Sequence, residues 1–448
     1  VLIAATHNAT GTYEFPNCFQ DGYSVYTNTP PVGAFRGYGH QESQLAMERL
    51  MDILARKLKM DPFELRAKNY LGPGSVTALG ETLTESNGSV KKCADIIREA
   101  VFAEPKSVDE DDNYYYGRGF AAVMKSPKGA PFSSKSCYLK FNRDGSVCIN
   151  MGGAEVGQGL RNVARLVAAE ALQIDPSRIS IYTEIDTQFN PWEWQTIGSM
   201  FTTQGGRAVV RAANKAIAKL KETASQVLRV GVDRLDYDGD YVFVKSDPTA
   251  RVPVPELARG YTYPNGMTIG EVVHTTADAR LPRQSNPDEN GQGNMGITYT
   301  FGAQACEIRI EKETGKIIID HFASCFDVGQ VINPTQIRGQ VTGGVMMGIG
   351  ASLHEELKFD EDGKALNPHF RKYRFPTIKD APGKQTVEFV ETPGEIGPFG
   401  ARGIGEHPLV GVAPAILNAV YDALGVDFFE IPLTKEKIKE IIENQNQE

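Results

Sequence analysis

GAFRGYGHQESQLAMERLMDILARKLKMDPFELRAKNYL, residues 33–71, decides how the rest of the chain is read. Gly33, Gly37 and Gly39 surround Arg36 and Tyr38 in a glycine-rich turn. After it, Met47, Leu50, Met51, Leu54 and Leu58 recur at three- and four-residue spacing, which predicts one apolar face of a helix. Asp61-Pro62 followed by Glu64 predicts a second helix start, with an N-cap, a proline at the first position and a capping carboxylate.

The unit of glycine turn then apolar helix recurs. GGAEVGQG (152–159) precedes Val163, Leu166, Val167 and Leu172. The stretch from Ile197-Gly198-Ser199 to Gly205-Gly206 precedes Val209, Ala213, Ile217 and Leu220. Gly339-Gln340 with Gly343-Gly344 leads into 345–353, and GPFGARGIGEHP (397–408) precedes Val412, Ile416, Val420 and Leu424. Between these units, Tyr138–Phe141 and Val147–Met151 flank Asn-Arg-Asp-Gly, and Ile308–Ile310 and Ile317–Ile319 flank Lys-Glu-Thr-Gly, so both read as hairpins. Leu357–Phe359 before Asp-Glu-Asp-Gly reads the same way, and the opening VLIAATHNATGTYEF reads as strand. Strands and helices mix without strict alternation, which predicts an α+β (mixed α/β) fold. EPKSVDEDDNYYYG (104–117) marks a soft boundary between 1–105 and 116–448. A stretch from about 233 to 294, holding PVPELARGYTYPNG and RQSNPDENGQGN, reads as an insertion with long loops.

Composition narrows the function. The net charge of −9, with no Lys/Arg-rich block, argues against a nucleic-acid partner. No apolar run approaches the roughly 20 residues that span a bilayer, and no secretory signal pattern is visible. The six cysteines contain no CxxC pair, which argues against a disulfide framework, a structural zinc site or a local iron–sulfur cluster and makes a reducing cytoplasm the simplest compartment. HExxH, GxSxG and the phosphate-loop motif are absent.

The glycine turns can each present free N–H groups to an anion at a helix start. Singly they read as tight turns; together they suggest a large phosphate-bearing ligand held by main chain. Glu406 ends the last turn, and reads either as a helix cap or as a general base whose proton affinity is raised by apolar surroundings. Arg36 reads as an anion-holding fork or as a surface ion pair. Tyr38 offers a ring face to a planar substrate or is core. Gln158 and Gln340 either fix loops or bind a polar ring system.

Four motifs in order, GAFRGYGHQESQLAMERLMDILARKLKMDPFELRAKNYL, GGAEVGQG, GQVTGG and GIGEHP, resemble the molybdopterin-binding large subunit of the xanthine dehydrogenase/aldehyde oxidase family. The resemblance runs over nearly the whole chain outside about 233–294. It implies two elongated molybdopterin-binding domains, residues 1–105 being the C-terminal part of the first and 116–448 the second. It implies a molybdenum–molybdopterin cofactor, in cytosine dinucleotide form, contacted by Arg36, Gly157, Gln158, Gly159, Ile197, Gly198, Ser199 and Gln340, with no direct protein ligand to the metal. Tyr38 and Arg36 fall at substrate-binding positions. Glu406 matches the glutamate that activates a metal-bound hydroxide for attack on an electron-poor carbon, with hydride passing to a sulfido or selenido ligand.

The resemblance further implies a [2Fe–2S] subunit, an FAD subunit and, because the family's large subunit begins with several hundred residues not present before Val1, a second molybdenum subunit, as in the nicotinate dehydrogenase type. Ser126-Pro127-Lys128 stands where purine-oxidising members carry a second stacking phenylalanine, with Phe132 nearby, and His407 stands where proline is common. The leading expectation is hydroxylation of a nicotinate- or purine-like N-heteroaromatic. The alternatives are an aldehyde or aromatic acyl-CoA oxidoreductase, and a non-catalytic structural or cofactor-insertion partner. Carbon monoxide oxidation is disfavoured because that subgroup's active-site cysteine loop is not in this sequence.

Overall fold

The computed structural model describes every residue except 32, 107–111, 127–129, 283, 295, 297 and 446–448. Two four-stranded sheets carry the fold. In the first, β1 (Tyr114–Lys125) pairs antiparallel with β6 (Thr300–Glu311), β6 antiparallel with β7 (Ile317–Asp327), and β7 parallel with β8 (Lys384–Val390). In the second, β5 (His274–Arg280) pairs antiparallel with β2 (Ser134–Phe141), β2 antiparallel with β3 (Val147–Met151), and β3 parallel with β4 (Ile179–Tyr182).

The two sheets are built to one plan. Hairpin β2–β3 continues through helix α4 (Leu160–Leu172) to β4 and then to α5 (Gly206–Leu228). Hairpin β6–β7 continues through α6 (Pro334–Leu353) to β8 and then to α7 (Val412–Leu424). The strand before each hairpin, β1 or β5, leaves its own unit and forms the edge of the other unit's sheet. The units are thereby interlocked by exchanged strands, and every ladder bond of β1 crosses between them.

Both faces of the first sheet are covered. Phe120, Ala122 and Met124 of β1 point into the core beneath α3 (Val90–Phe102), while Ala121 and Val123 point to the α6–α7 side, which is the period of two expected of a strand. Gly117 and Gly119 let α7 lie directly on the strand: a Cβ at Gly119 would sit 1.9 Å from the Ala415 carbonyl oxygen. In the second unit, Ala208, Ala212 and Ala216 bring α5 close to its sheet.

Helices α1 (His40–Leu58) and α2 (Pro62–Asn69) follow the expected turns, and Asp61 caps α2 by accepting from Glu64 N at 2.9 Å. The expected apolar face of α1 is only partly buried: Met51 is buried with Tyr13, Ala55 and Leu65, and Met47 packs against them. Leu50, Leu54 and Leu58 are exposed. The inward face carries Glu48, whose carboxylate takes the Arg66 guanidinium at 2.9 Å, the Tyr13 hydroxyl at 2.6 Å and Ala122 N of β1 at 3.1 Å. A charge network around Glu48, together with the Met47–Met51–Ala55 apolar contacts and not a leucine stripe, docks this helix.

Other expectations are corrected. Leu2–His7 is helical, not strand. Gly339, Gly343 and Gly344 lie inside α6, which starts at the Asn333 cap and runs straight through them. Residues 233–294 are not simply loops: Leu235–Tyr237, Tyr241–Val244 and Asp247–Pro253 form a sheet packed on the second core, and β5 closes the exchange. The Phe359 hairpin is a single bridge to Ala365.

Gly119→Ala tests the close approach. Overpacking of this kind costs about 1–3 kcal/mol, so the urea midpoint is expected to fall with the m-value retained, whereas Ala→Gly at exposed helix positions is not expected to reproduce the effect through packing.

Candidate functional site

A cavity of ≈ 490 Å³ opens where the two units meet. Its walls come from equivalent places in the repeat. The turn after β3 contributes Val156, Gly157 and Gln158; the start of α6, which follows β7, contributes Asn333, Gln336 and Gln340. The turn before α5 contributes Ile197, Gly198 and Ser199, and the turn before α7 contributes Gly403, Gly405 and Glu406, with Arg36 closing the edge. Eight of the ten residues singled out in the sequence therefore line one cavity; Gly159 and Tyr38 lie outside the lining. A larger cavity of ≈ 930 Å³ lies between β7 and residues 367–381 and contains none of them, so motif chemistry, not size, selects the smaller one.

Two turns meet back to back at its floor. A Cβ at Gly403 would lie 2.0 Å from the Ser199 carbonyl oxygen, so glycine is required there. Ser199 itself sits at φ +60°, a left-handed conformation that its neighbours hold in place. Its Oγ accepts from Glu406 N at 3.0 Å and approaches Glu406 Oε2 at 3.4 Å. Glu406 makes no capping hydrogen bond to the short helix that follows it. Its Oε2 instead meets the Lys125 ammonium at 2.6 Å.

Arg36 is tied down by protein. It donates to Gly405 O at 2.6 Å, to Gln340 O at 3.1 Å and to Gln340 Oε1 at 3.2 Å, clamping α6 to the Glu406 turn. Gln158 is likewise used by its own loop, donating to Ala154 O and accepting from Val156 N. At the start of α4, the Glu155 carboxylate takes the N–H groups of Gly157, Gly159 and Arg161, so an acidic side chain fills the anion seat expected there.

Burial shapes the titrations. It lowers the proton affinity of Lys125, opposed by Glu406, and lowers that of Arg36 in the same way. Burial, with Glu406 adding to it, pushes the Tyr38 phenol up to about 12. Burial holds His407 far below the ordinary histidine value, with Lys125 adding to the effect. Its ring lies near backbone of Lys125 and Ile404 without a well-formed hydrogen bond.

Sequence reading missed Lys125, Asn333, Gln336 and Asn162, whose amide donates to Gln336 Oε1 at 3.1 Å. The Asn333-Pro334 start of α6 was a legible cap signal. Lys125 had only its place at the end of the apolar run Phe120–Met124. Ser126 is buried, while Pro127 and Lys128 lie outside the described residues; Phe132 is exposed.

His407 is neutral when folded and free to protonate when unfolded. Below its unfolded value of about 6.5 the unfolded chain binds the extra proton, so stability falls as pH falls, by up to about 1.4 kcal/mol per pH unit. His407→Leu is expected to remove that share of the slope in urea unfolding measured between neutral and mildly acidic pH; parallel slopes for the two chains would refute it.

The molybdopterin cofactor-binding domain matches residues 91–382, and a second model of that description matches 1–70. The chain is 30% identical to the nicotine 6-hydroxylase large subunit of Paenarthrobacter nicotinovorans, over 96% of this chain and 53% of that one. It is 30% identical to the carbon monoxide dehydrogenase large chain of Hydrogenophaga pseudoflava, over 98% and 56%. The carbon monoxide dehydrogenase structure from Oligotropha carboxidovorans superposes with a TM-score of 0.82 at 27% identity, covering 98% of this chain and 56% of that one. The quinoline 2-oxidoreductase structure from Pseudomonas putida 86 shares the fold, with a TM-score of 0.83 at 23% identity, covering 99% and 57%. The chain thus spans about half the length of the curated relatives it matches. With the family model covering more than half of it, and the relatives aligned along nearly all of it, the chain belongs to the xanthine dehydrogenase family of molybdenum-binding subunits.

Proposed function

We propose that this chain carries the base side of a molybdenum hydroxylase site, which uses water to hydroxylate an electron-poor carbon of an N-heteroaromatic compound of the nicotinate or purine kind. One observation carries the reading. Glu406 is a non-capping carboxylate in the cavity wall, held at Oε2 by Lys125 and Ser199, while Oε1 has no hydrogen bond among the described residues.

The residues present fit a molybdopterin. Gly157 and Gly198 take positive φ and bring backbone to the cavity wall, with open space where a Gly157 Cβ would stand. Gln336, Gln340, Thr196 and Thr202 add amide and hydroxyl groups suited to a polar ring system and a phosphate. The volume lies within the roughly 300–1,000 Å³ usual for cofactor sites. When bound, the cofactor supplies activation of water and takes up two electrons. Glu406 accepts the proton at Oε1. Arg36 keeps the Glu406 turn in place against α6, and Ser199 orients the carboxylate from the opposite turn.

The same proposal covers the finer calls: the cytosine dinucleotide form, Gln158, Gly159 and Ile197 as cofactor contacts, Tyr38 at the substrate, and the division at 105–116 into parts of two molybdopterin-binding domains. It also includes a second molybdenum subunit, a [2Fe–2S] subunit and an FAD subunit as partners. The name of the nicotine 6-hydroxylase relative supports the heteroaromatic class.

Glu406→Gln in the assembled enzyme is expected to lower turnover by about 10²–10⁴-fold, the usual contribution of a general base, with molybdenum content unchanged. Turnover near the parent rate at equal metal content would remove Glu406 from the chemistry and favour a non-catalytic role. The chain purified alone is expected to hold little molybdenum by elemental analysis; a full equivalent would show that the site needs no other polypeptide.

A further inference from the structure

We infer that Lys125 is the positioning residue that sets both the charge and the aim of the Glu406 carboxylate; this rests on the reading of Glu406 as the base. Lys125 is the last residue of β1, and its side chain is 1% exposed. Its ammonium meets three oxygens: Glu406 Oε2 at 2.6 Å, Gly198 O at 3.1 Å and Ser126 O at 3.4 Å. A lone ammonium would be costly to keep at this depth, and these partners are what retain it.

The geometry has two consequences. One cation grips both cavity turns from behind, the 197–199 turn through Gly198 O and the 403–406 turn through Glu406. It also pins Oε2, which leaves Oε1 as the oxygen available to the cavity.

The other groups facing Glu406 do not replace it. Arg36 and Tyr38 act on Glu406 from the 33–39 turn, but the guanidinium is engaged by Gly405 O and Gln340, and the phenol is kept neutral by burial. His407, next in the chain, is kept neutral by burial as well. Among the described residues Lys125 is the cation in ion-pair contact with the carboxylate. An ammonium in contact with a carboxylate favours the charged over the neutral carboxyl, and this contact is what substitution of Lys125 removes.

The test follows the protonated-carboxyl stretch of Glu406 by infrared pH titration of this chain, with Glu406→Gln identifying the band. Lys125→Met removes charge and donor; Lys125→Gln keeps a donor and serves if the methionine variant does not fold; Lys125→Arg keeps the charge. The neutral variants are expected to protonate Glu406 at least tenfold more readily, a shift of one pH unit or more, and the arginine variant to stay near the parent. Neutral variants that titrate with the parent, or an arginine variant that shifts as far as they do, would overturn the inference. In the assembled enzyme the acid limb of kcat/KM is expected to move with the infrared midpoint. A Glu406→Gln enzyme of undiminished rate would defeat the base reading, while the infrared titration would still decide the role of Lys125.

Discussion

The exchange of edge strands between the two units is the constraint on which the rest of the structure depends. Because β1 lies in the sheet of β6–β8 and β5 in the sheet of β2–β4, neither sheet is complete without a strand from the other half of the chain. The exchange holds the two units together, and it brings three turns and the start of α6 to one place. It also sets where β1 ends. Lys125 emerges from the first sheet directly beneath the turns of both units, which is why a residue from the start of one repeat can bind the carboxylate at the end of the other.

Charges in the interior follow the same logic. Glu48–Arg66 ties α1 and α2 to β1, Arg402–Asp327 holds the 397–406 turn to β7, and Lys135–Glu193 holds the 190s turn to β2. The last two join a turn that lines the cavity to a strand, and the first joins the two helices that follow the Arg36 turn. Such pairs add little to net stability after desolvation, but breaking one leaves a buried charge alone. They act as fixed points for loops that glycine would otherwise leave loose. Besides Arg402–Asp327, the Glu406 turn is held by the Lys125 ion pair and by hydrogen bonds to Arg36 and Ser199.

The cavity wall combines apolar side chains, among them Val156, Leu160, Ile197, Phe201, Ile332 and Ile404, with glycine backbone and a few amides and hydroxyls, and much of the hydrogen-bonding capacity of these polar groups is turned toward the protein. Glu155 satisfies the start of α4, Asn333 that of α6, and Gln158 its own loop. These internal bonds give the turns a definite shape before any ligand contact is made. What remains directed at the cavity is a small set of amides, hydroxyls and one carboxylate oxygen, a composition that favours orientation of a polar group over tight electrostatic capture.

Much of this was legible in the amino-acid order. Local chemistry determines the Asp61-Pro62 helix start, the two hairpins and four of the five turn–helix units, because caps, prolines and turn residues act within a few positions of themselves. The motif residues that line the cavity could be named because the glycine and amide turns are written contiguously and the four motifs in order resemble those of a known family. What only the tertiary structure decided is long-range. Whether Glu406 capped a helix or faced a cavity depended on Ser199 and Lys125, 207 and 281 positions away in the chain. The docking face of α1 depended on Arg66 and Tyr13 satisfying Glu48, which made a carboxylate core and left three leucines outside. Strand exchange has no local signature, since β1 and β5 read as ordinary strands whichever sheet they join. Burial and pairing are properties of what the folded chain brings together, and they alone converted an ordinary lysine into the partner of the site's carboxylate.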